Sequence, residues 1–310
     1  MRERDGIPGR RTNARLALIL VLAWSVAGTA QAAFAKTPAG APERIVFPVV
    51  GKVAYEDDFG DPRGARSHQG NDILADRKAP AVAAEAGTIT FWTSSASAGC
   101  MLYLHGKSGA TYLYIHLNND LTDANDNRGK CKPGVSYAPG LEDGQKVRAG
   151  QLVGYVGDSG DANGLHPHLH FELHPADGDA VSPYRWLRRA EKLLFALPEG
   201  DAERMTAETP ALVLSGTVRV VAPGEDGGSL TIRVATVRLS TGGRWEVTRN
   251  VTLSVPADAV FEDTGGGAPA LADLAKGTKV TVWTSPIELA LETQLARPGV
   301  LAAARVAVRS

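Results

Sequence analysis

The sequence has little of three things that would point to particular classes of protein. Its formal net charge is only −1, it contains two cysteines, and its N-terminal apolar run, Leu16–Gly28, is far short of the ~20 residues that a membrane-spanning helix needs. A membrane anchor is therefore disfavoured. With 310 residues, 44% of them hydrophobic, the composition indicates a globular chain with room for two domains.

The first 35 residues are predicted to be a signal peptide. Arginines crowd the start of the chain, the apolar run follows, and a small-x-small cleavage pattern ends at Ala32. Removing residues 1–32 takes away five arginines, one glutamate and one aspartate, which leaves a formal charge of −4. That charge is too mild to indicate nucleic acid or strong membrane attraction. We expect a secreted or cell-envelope protein, extracellular or periplasmic, with no stable membrane insertion after cleavage.

The two cysteines, Cys100 and Cys131, favour a disulfide over a metal site or a reactive thiol, because an exported protein enters an oxidising compartment. Closing that loop would stabilise the fold by about 3–4 kcal/mol in the chain-entropy model. Two unpaired thiols are the alternative.

The histidines divide the chain. All seven lie between His68 and His174, which suggests a domain that carries the chemistry followed by an accessory domain. We predict a β domain that carries the chemistry over 36–198, a linker over 199–211 and a small barrel over 212–310. The fold class is mainly β, with an antiparallel sheet and a groove in the first domain. Its predicted strands are Thr88–Trp92, Met101–His105, Thr111–Leu117, Leu152–Gly157 and His168–His174.

Two helices and a barrel complete the prediction. A helix is expected from Ser182 to Leu197, because Pro183 suits its first turn and apolar residues follow at helical spacing. A short helix is expected over 268–277. The second domain alternates by two along five runs, which indicates an OB-like barrel or, as the rival, an SH3-like barrel. Arginines alternate with apolar residues there and are expected to form a solvated face: Arg219, Arg233, Arg238 and Arg249.

The stretch "HLHFELH" from His168 to His174 carries the strongest chemical signal. On a strand, residues two apart share a face, so three histidines and Glu172 lie on one side and the apolar residues on the other. The apolar side is expected to pack into the core, and the polar side to face a groove.

Further ligands are found in "HQGND", His68 to Asp72. The glycine at position 70 permits a tight chain path, so both side chains can converge. Two neutral imidazoles and one carboxylate form a zinc set that leaves a fourth position for water. Such a site keeps a charge of about +1, which acidifies the water and polarises a carbonyl.

At this point the residues resemble a known family. "HQGND", "YIHL" (Tyr114–Leu117) and "HLHF" (His168–Phe171) are similar to the motifs of the lysostaphin/LytM-type zinc metalloendopeptidases, which cleave peptide bonds in bacterial peptidoglycan. The resemblance covers about residues 45–190, and nothing comparable is found for 211–310.

The resemblance implies one catalytic zinc held by His68, Asp72 and His170, and a peptidoglycan peptide as the substrate. His168 and His116 would flank the metal-bound water, one as general base and the other orienting the water or stabilising the oxyanion, with His168 the usual candidate for the base. The sequence leaves open which bond is cut, what the second domain binds and the oligomeric state.

The other histidines have weaker signals. His166 is expected in a loop at the groove mouth, His174 at a strand end in solvent, and His105 in a structural position beside the hairpin turn at 106–109. Asn71 is expected to adjust packing behind Asp72. The loop over 118–140 is predicted to wall the groove and to be held by the disulfide.

Three functions compete. The first is a secreted zinc endopeptidase; the second is a catalytically silent relative that binds the wall or activates an amidase. The five intact site positions favour the first. The third, a cupin-type oxygenase, needs another histidine downstream, and none follows His174.

Overall fold

The computed structural model describes residues 38–197, 210–263 and 265–309. The predicted signal peptide (1–35) and most of the predicted linker (199–211) lie outside the described residues. Within the described ranges, no helix has both the length and the apolar character needed to cross a membrane. The described residues form one compact unit with two hydrophobic cores, and the domain boundaries given above stay predictions.

The first core is built on a seven-stranded antiparallel sheet. Its part of the chain contains β1 (Val53–Ala54), β2 (Pro62–Arg63), β3 (Arg66–Ser67), β4 (Asn71–Ala75), β5 (Pro80–Val82), β6 (Gly87–Ser95), β7 (Gly99–Gly106), β8 (Ala110–Leu117), β9 (Lys146–Val147), β10 (Leu152–Tyr155), β11 (His168–Pro175), helix α1 (Tyr184–Leu187) and a 3₁₀ turn (Gly160–Ala162). The sheet order is β1-β4-β11-β8-β7-β6-β9; β5 pairs with β10, and β2 with β3. The five predicted strands and the hairpin at 106–109 are confirmed.

Strand β11 separates the core from the groove. Leu169, Phe171 and Leu173 are fully buried, and the Phe171 ring lies 5.7 Å from that of Tyr112 and 5.3 Å from that of Tyr114. Because the strand alternates, its histidines and Glu172 project to the opposite face. The predicted division of this strand is therefore confirmed.

The predicted helix over 182–197 is wrong beyond its first turn. Helix α1 ends at Leu187, and the following chain runs without helix to the end of the described segment. Leu194 and Phe195 are fully buried in the second core, and the Leu194 amide donates to the carbonyl of Gln294 at 2.7 Å. The apolar residues whose spacing suggested a helix are instead divided between the two hydrophobic cores.

The second core lies within a six-stranded sheet. Its elements are β12 (Leu212–Gly224), β13 (Gly227–Leu239), β14 (Gly242–Pro256), β15 (Val260–Asp263), β16 (Lys279–Thr284), β17 (Ala303–Arg309), helix α2 (Leu291–Gln294) and a 3₁₀ turn (Leu271–Asp273). The order is β14-β13-β12-β16-β17-β15, antiparallel except for the β15–β17 pair. All five predicted strands are present, β15 was not predicted, and the barrel type stays a prediction.

Two details of this region differ from expectation. The helix predicted over 268–277 is only the 3₁₀ turn. Arg233 and Arg238 are exposed as expected, but Arg249 is half-buried and donates to the carbonyls of Lys192 and, at 2.6 Å, Leu295. Arg249 therefore connects β14 to the segments that contain Lys192 and Leu295. It is not part of a solvated face.

Candidate metal centre and groove

Two histidines and an aspartate meet where β4 and β11 pair. His68 precedes β4, and Asp72 on β4 lies opposite His170 on β11. His68 Nε2 lies 2.8 Å from His170 Nδ1 and 3.1 Å from Asp72 Oδ1, and His170 Nδ1 lies 3.0 Å from the same oxygen. The three predicted ligands are thus brought around one point.

Gly70 makes this convergence possible because the chain here passes close to β11. A Cβ atom on Gly70 would lie 2.5 Å from the carbonyl oxygen of Phe171 and 3.0 Å from Nε2 of His170. A side chain at this position would push β11 or the His170 ring away. Glycine at position 70 is therefore required by a close approach to β11, in addition to the tight chain path expected from the sequence.

Each candidate ligand makes a further hydrogen bond on the side away from the cluster. His68 Nδ1–H donates to the carbonyl of Asp58 at 2.8 Å, and His170 Nε2–H donates to Glu172 Oε1 at 3.0 Å. The second oxygen of Asp72 accepts from Arg63 at 2.7 Å. These contacts select the tautomers, because a neutral imidazole has one N–H and one lone pair. His68 Nε2 and His170 Nδ1 are left to face inward.

The donor set fits a divalent metal ion. The three inward atoms all lie within 4.8 Å of one another. With the tautomers just described, they present three electron pairs with no hydrogen between them, and a cation among them would offset their repulsion. Two imidazole nitrogens and a carboxylate oxygen are ligands that zinc and neighbouring transition metals take.

The electrostatics of the cluster favour positive charge. Burial by itself would raise the pKa of Asp72, but hydrogen bonds with His170 and His68 outweigh it and hold that pKa well below its ordinary range. Burial opposes a charge on His170, yet Asp72 and Glu172 raise the pKa of its ring to about 9. Without a metal ion, the His170 ring therefore carries an extra proton. The same negative charge of Asp72 and Glu172 would attract a metal cation.

Two further histidines flank the cluster. His168, on β11, donates its Nδ1–H to the carbonyl of His166 at 2.9 Å, and His116, in β8, donates to the carbonyl of Ser159 at 2.8 Å. Each ring therefore keeps a lone pair on Nε2. The ring centres lie 5.0 Å apart, and His168 Nε2 is 3.7 Å from Asp72 Oδ1.

His116 has an unusual backbone as well as a buried ring. Its φ angle is 62°, in the left-handed region that non-glycine residues seldom adopt. Burial, and next the neighbouring His168, lower the pKa of its ring to about 4. Backbone strain of this kind clusters at functional sites, and here it coincides with a predicted catalytic residue.

An open groove of about 590 Å³ lies over these side chains. All five predicted site residues line it, together with Arg63, Arg66, Leu74, Ala98, Asp161 and Leu165. The lining therefore includes both polar and apolar side chains.

Comparison with known proteins gives this arrangement a context. Residues 135–183 match the family described as Peptidase family M23. The L-Ala--D-Glu endopeptidase of Bacillus subtilis is 26% identical over 157 residues, 47% of this chain and 43% of that protein. The DD-carboxypeptidase/endopeptidase Mpg of Neisseria gonorrhoeae is 29% identical over 148 residues, 46% of this chain and 29% of that protein. The resemblance to peptidase family M23 is confirmed.

Solved structures of M23-type peptidases are also similar to this chain. The structure of a putative glycyl-glycine endopeptidase LytM from Ruminococcus gnavus shares 27% identity, with a TM-score of 0.37, over 47% of this chain and 60% of that one. The lysostaphin catalytic domain from Staphylococcus simulans shares 24%, with a TM-score of 0.34, over 44% and 92%. The chain spans less than half the length of the curated relatives named above.

The disulfide of the M23-like part is present, but the loop it holds lies elsewhere than predicted. Cys100 and Cys131 are bonded, with Cα atoms 5.2 Å apart. No residue of 118–140 lines the groove, so the prediction that this loop walls it is wrong. Arg77 instead connects Asp120 of the loop to Asp158, with bonds of 2.7 and 2.9 Å to the latter. The loop therefore supports segment 158–165, and Asp161, Ala162 and Leu165 of that segment line the groove.

The remaining histidines of the M23-like part occupy three different settings. His166 is exposed at the groove, and His105 bonds to Thr111 at 3.0 Å, both as expected. His174 does more than end a strand in solvent. Its Nε2 lies 2.7 Å from Glu172 Oε2, and its Nδ1 lies 2.9 Å from the carbonyl oxygen of Gly178.

Three supporting residues were not predicted. Glu172 had a usable signal, since it lies two positions from His170 on the same strand face. Asp58 and Arg63 had no signal in the sequence, because only the folding of β2–β3 and the chain before it brings them to the cluster. Asn71 supports the same region, donating to the Glu56 carbonyl at 2.8 Å and to Asp58 Oδ1 at 2.7 Å.

Proposed function

We propose that the chain is a secreted zinc-dependent endopeptidase that hydrolyses peptide bonds in peptidoglycan stems or cross-bridges. One observation carries this proposal. Three ligand atoms, from His68, Asp72 and His170, converge on one point, while the Nε2 lone pairs of His168 and His116 border the same groove. This is the combination that metal-assisted peptide hydrolysis requires.

In this proposal His68 Nε2, Asp72 Oδ1 and His170 Nδ1 hold the zinc. The chemistry that zinc supplies when bound is Lewis acidity, which polarises the scissile carbonyl and acidifies water. The carboxylate cancels one unit of charge, so a formal charge of about +1 remains for this purpose.

His168 is proposed as the general base. Its Nε2 is free to accept a proton, because its Nδ1–H is occupied by the His166 carbonyl. The lowered pKa of His116 makes that ring a poor proton acceptor, so its Nε2 suits orientation of the attacking water.

The substrate class rests on the relatives and on the compartment. The two curated relatives are named for cleavage at L-Ala–D-Glu and at DD bonds, and peptides containing D-amino acids are characteristic of the bacterial wall. The predicted signal peptide and the disulfide both suit the cell envelope or exterior. We leave the particular bond open.

The proposal is tested by incubating the mature chain, from about Ala33, with purified peptidoglycan and identifying new amino termini by mass spectrometry. We expect release that is lost with a chelator, restored by zinc and absent in His170→Ala. The fragments would name the bond.

The same experiment separates the enzyme from a silent relative. Protein shown to bind one zinc, but releasing no amino termini from several wall types, would contradict hydrolysis and favour the wall-binding or amidase-activating role. Protein that binds no zinc would contradict the metal centre itself.

A further inference from the structure

His170 is held at both of its ring nitrogens. Nδ1 faces His68 and Asp72, whereas Nε2 lies 3.0 Å from Glu172 Oε1. A neutral imidazole can offer Nδ1 as a metal ligand only when its hydrogen is on Nε2. Glu172 accepts that hydrogen, so it fixes both the tautomer and the rotation of the ring.

The second oxygen of Glu172 is engaged by His174. His174 Nε2 lies 2.7 Å from Glu172 Oε2, and its Nδ1 lies 2.9 Å from the carbonyl oxygen of Gly178. Both partners are acceptors, so both ring nitrogens must carry hydrogen, and the His174 ring is then a cation. Glu172 thus lies between two imidazoles, one on each of its oxygens.

This arrangement is fixed by the strand and by the turn that follows it. Residues 170, 172 and 174 share one face of β11 because side chains alternate along a strand. After the strand, Ala176 and Asp177 adopt positive φ angles of 51° and 54°, and the Gly178 amide donates back to Pro175. The tight turn carries the Gly178 carbonyl to the His174 ring.

Burial makes the balance of charge important. The side chain of Glu172 is only 12% exposed, and that of His174 is 23% exposed. A carboxylate withdrawn from water needs an opposite charge or several hydrogen bonds. His174 supplies an opposite charge and one hydrogen bond, and His170 supplies a second hydrogen bond.

We propose that Glu172 and His174 form a positioning pair for the metal centre. Glu172 holds His170 with Nδ1 toward the metal, and His174 fixes Glu172 and cancels its charge, so that the pair adds no net negative charge to the site. This inference rests on the proposed zinc centre, but it does not depend on hydrolysis, and its test requires no substrate.

The test is zinc affinity, measured by competition with a chromophoric chelator. We expect Glu172→Ala to weaken zinc binding about 10–100-fold, the range typical for loss of such partners. Glu172→Gln keeps an oxygen for His170 and should lose less. His174→Ala should also weaken binding. The matched control is His105→Ala, which removes an imidazole from β7, a strand separated from β11 by β8, and should bind zinc like the unsubstituted chain.

A spectroscopic readout reports position directly. In the zinc-loaded protein, ¹⁵N shifts of the His170 ring should show hydrogen on Nε2, and Glu172→Ala should broaden or shift these signals while His105→Ala does not. Circular dichroism establishes that each variant is folded.

Three outcomes would count against the inference. Folded Glu172→Ala that binds zinc within about twofold of the unsubstituted chain would overturn the positioning pair. Equal losses in Glu172→Ala and Glu172→Gln would overturn the role of the hydrogen bond. Zinc binding too weak to measure in the unsubstituted chain would overturn the proposed function as well, and this result is distinguishable from the other two.

Discussion

Strands β11 and β13 make an instructive comparison, because both are interior strands that alternate apolar with polar residues. On β11, His170, Glu172 and His174 are joined to one another and to Asp72 of β4 by hydrogen bonds of 2.7 to 3.0 Å. On β13, Arg233 and Arg238 are exposed, and neither makes an ion pair with any described residue. Alternation places a side chain on a face in both cases. A site arises only where neighbouring strands and loops surround that face.

The sharpest way to test this difference is to remove one polar residue from each strand. His170→Ala should abolish zinc binding and lower kcat/KM by at least about 10³-fold, because a ligand is lost. Arg233→Ala should change neither quantity measurably. Zinc titration and a peptidoglycan release assay provide the measurements, and a comparable loss in Arg233→Ala would mean that the face of β13 takes part in function.

A second substitution separates binding from turnover within β11. His168→Ala should retain one zinc, since this ring is not among the three ligands, yet kcat should fall about 10²–10⁴-fold, the usual contribution of a general base. Metal content by mass spectrometry and single-substrate kinetics would check it. If zinc were lost together with activity, His168 would have to be counted as a ligand.

The disulfide gives the M23-like part a constraint that the second part lacks. Replacing both Cys100 and Cys131 with serine should lower the free energy of unfolding by about 3 kcal/mol, because the unfolded chain regains the freedom of that loop. Urea unfolding followed by circular dichroism would measure it. A stability unchanged within error would show that the Arg77 contacts alone hold the loop.

Acid should destabilise the zinc-free protein through His116. Its ring has a pKa of about 4 when folded and about 6.5 when unfolded, so between these values the unfolded chain binds the extra proton. The free energy of unfolding should therefore fall as the pH drops from about 6.5 to about 4, by at most about 1.4 kcal/mol per pH unit from this group. His116→Gln should flatten that slope in urea titrations; parallel slopes would contradict the assignment.

The smallest expected effect concerns the backbone of the same residue. His116→Gly and His116→Ala both remove the ring, but glycine accepts the positive φ angle without strain. The glycine variant should be the more stable of the two by about 1 kcal/mol. Thermal unfolding of the two variants side by side would measure this difference, and a more stable alanine variant would count against strain at this position.

Much of this fold was predictable because the signals were local. The alternation of "HLHFELH" identified β11 and its two faces, the residues of "HQGND" supplied two of the three clustered side chains, and the even cysteine pair predicted the disulfide. Each of these rests on spacing along the chain or on one residue type, and none requires knowledge of a distant partner.

The errors and omissions depended on distant partners. Leu187, Ala190 and Leu194 suggested a helix because helical spacing and burial against two cores leave similar apolar patterns. Asp58 contacts His68 through its carbonyl oxygen at 2.8 Å and its carboxylate at 3.3 Å, but it lies ten positions earlier in the chain, where no local spacing connects the two residues. The left-handed backbone of His116 is likewise imposed by its surroundings, including the bond from its amide to the Ala98 carbonyl.

The interleaving of core and groove on β11 has a consequence for how the protein tolerates change. At positions 169, 171 and 173, substitution removes packing, so damaged chains should be lost to misfolding and proteolysis before chemistry matters. At positions 168, 170, 172 and 174, folded chains should accumulate at normal abundance yet be inert or poorly metallated. Along β11, substitutions at successive positions would therefore alternate between loss of folding and loss of activity. Variants along this one strand can be used to separate the two effects.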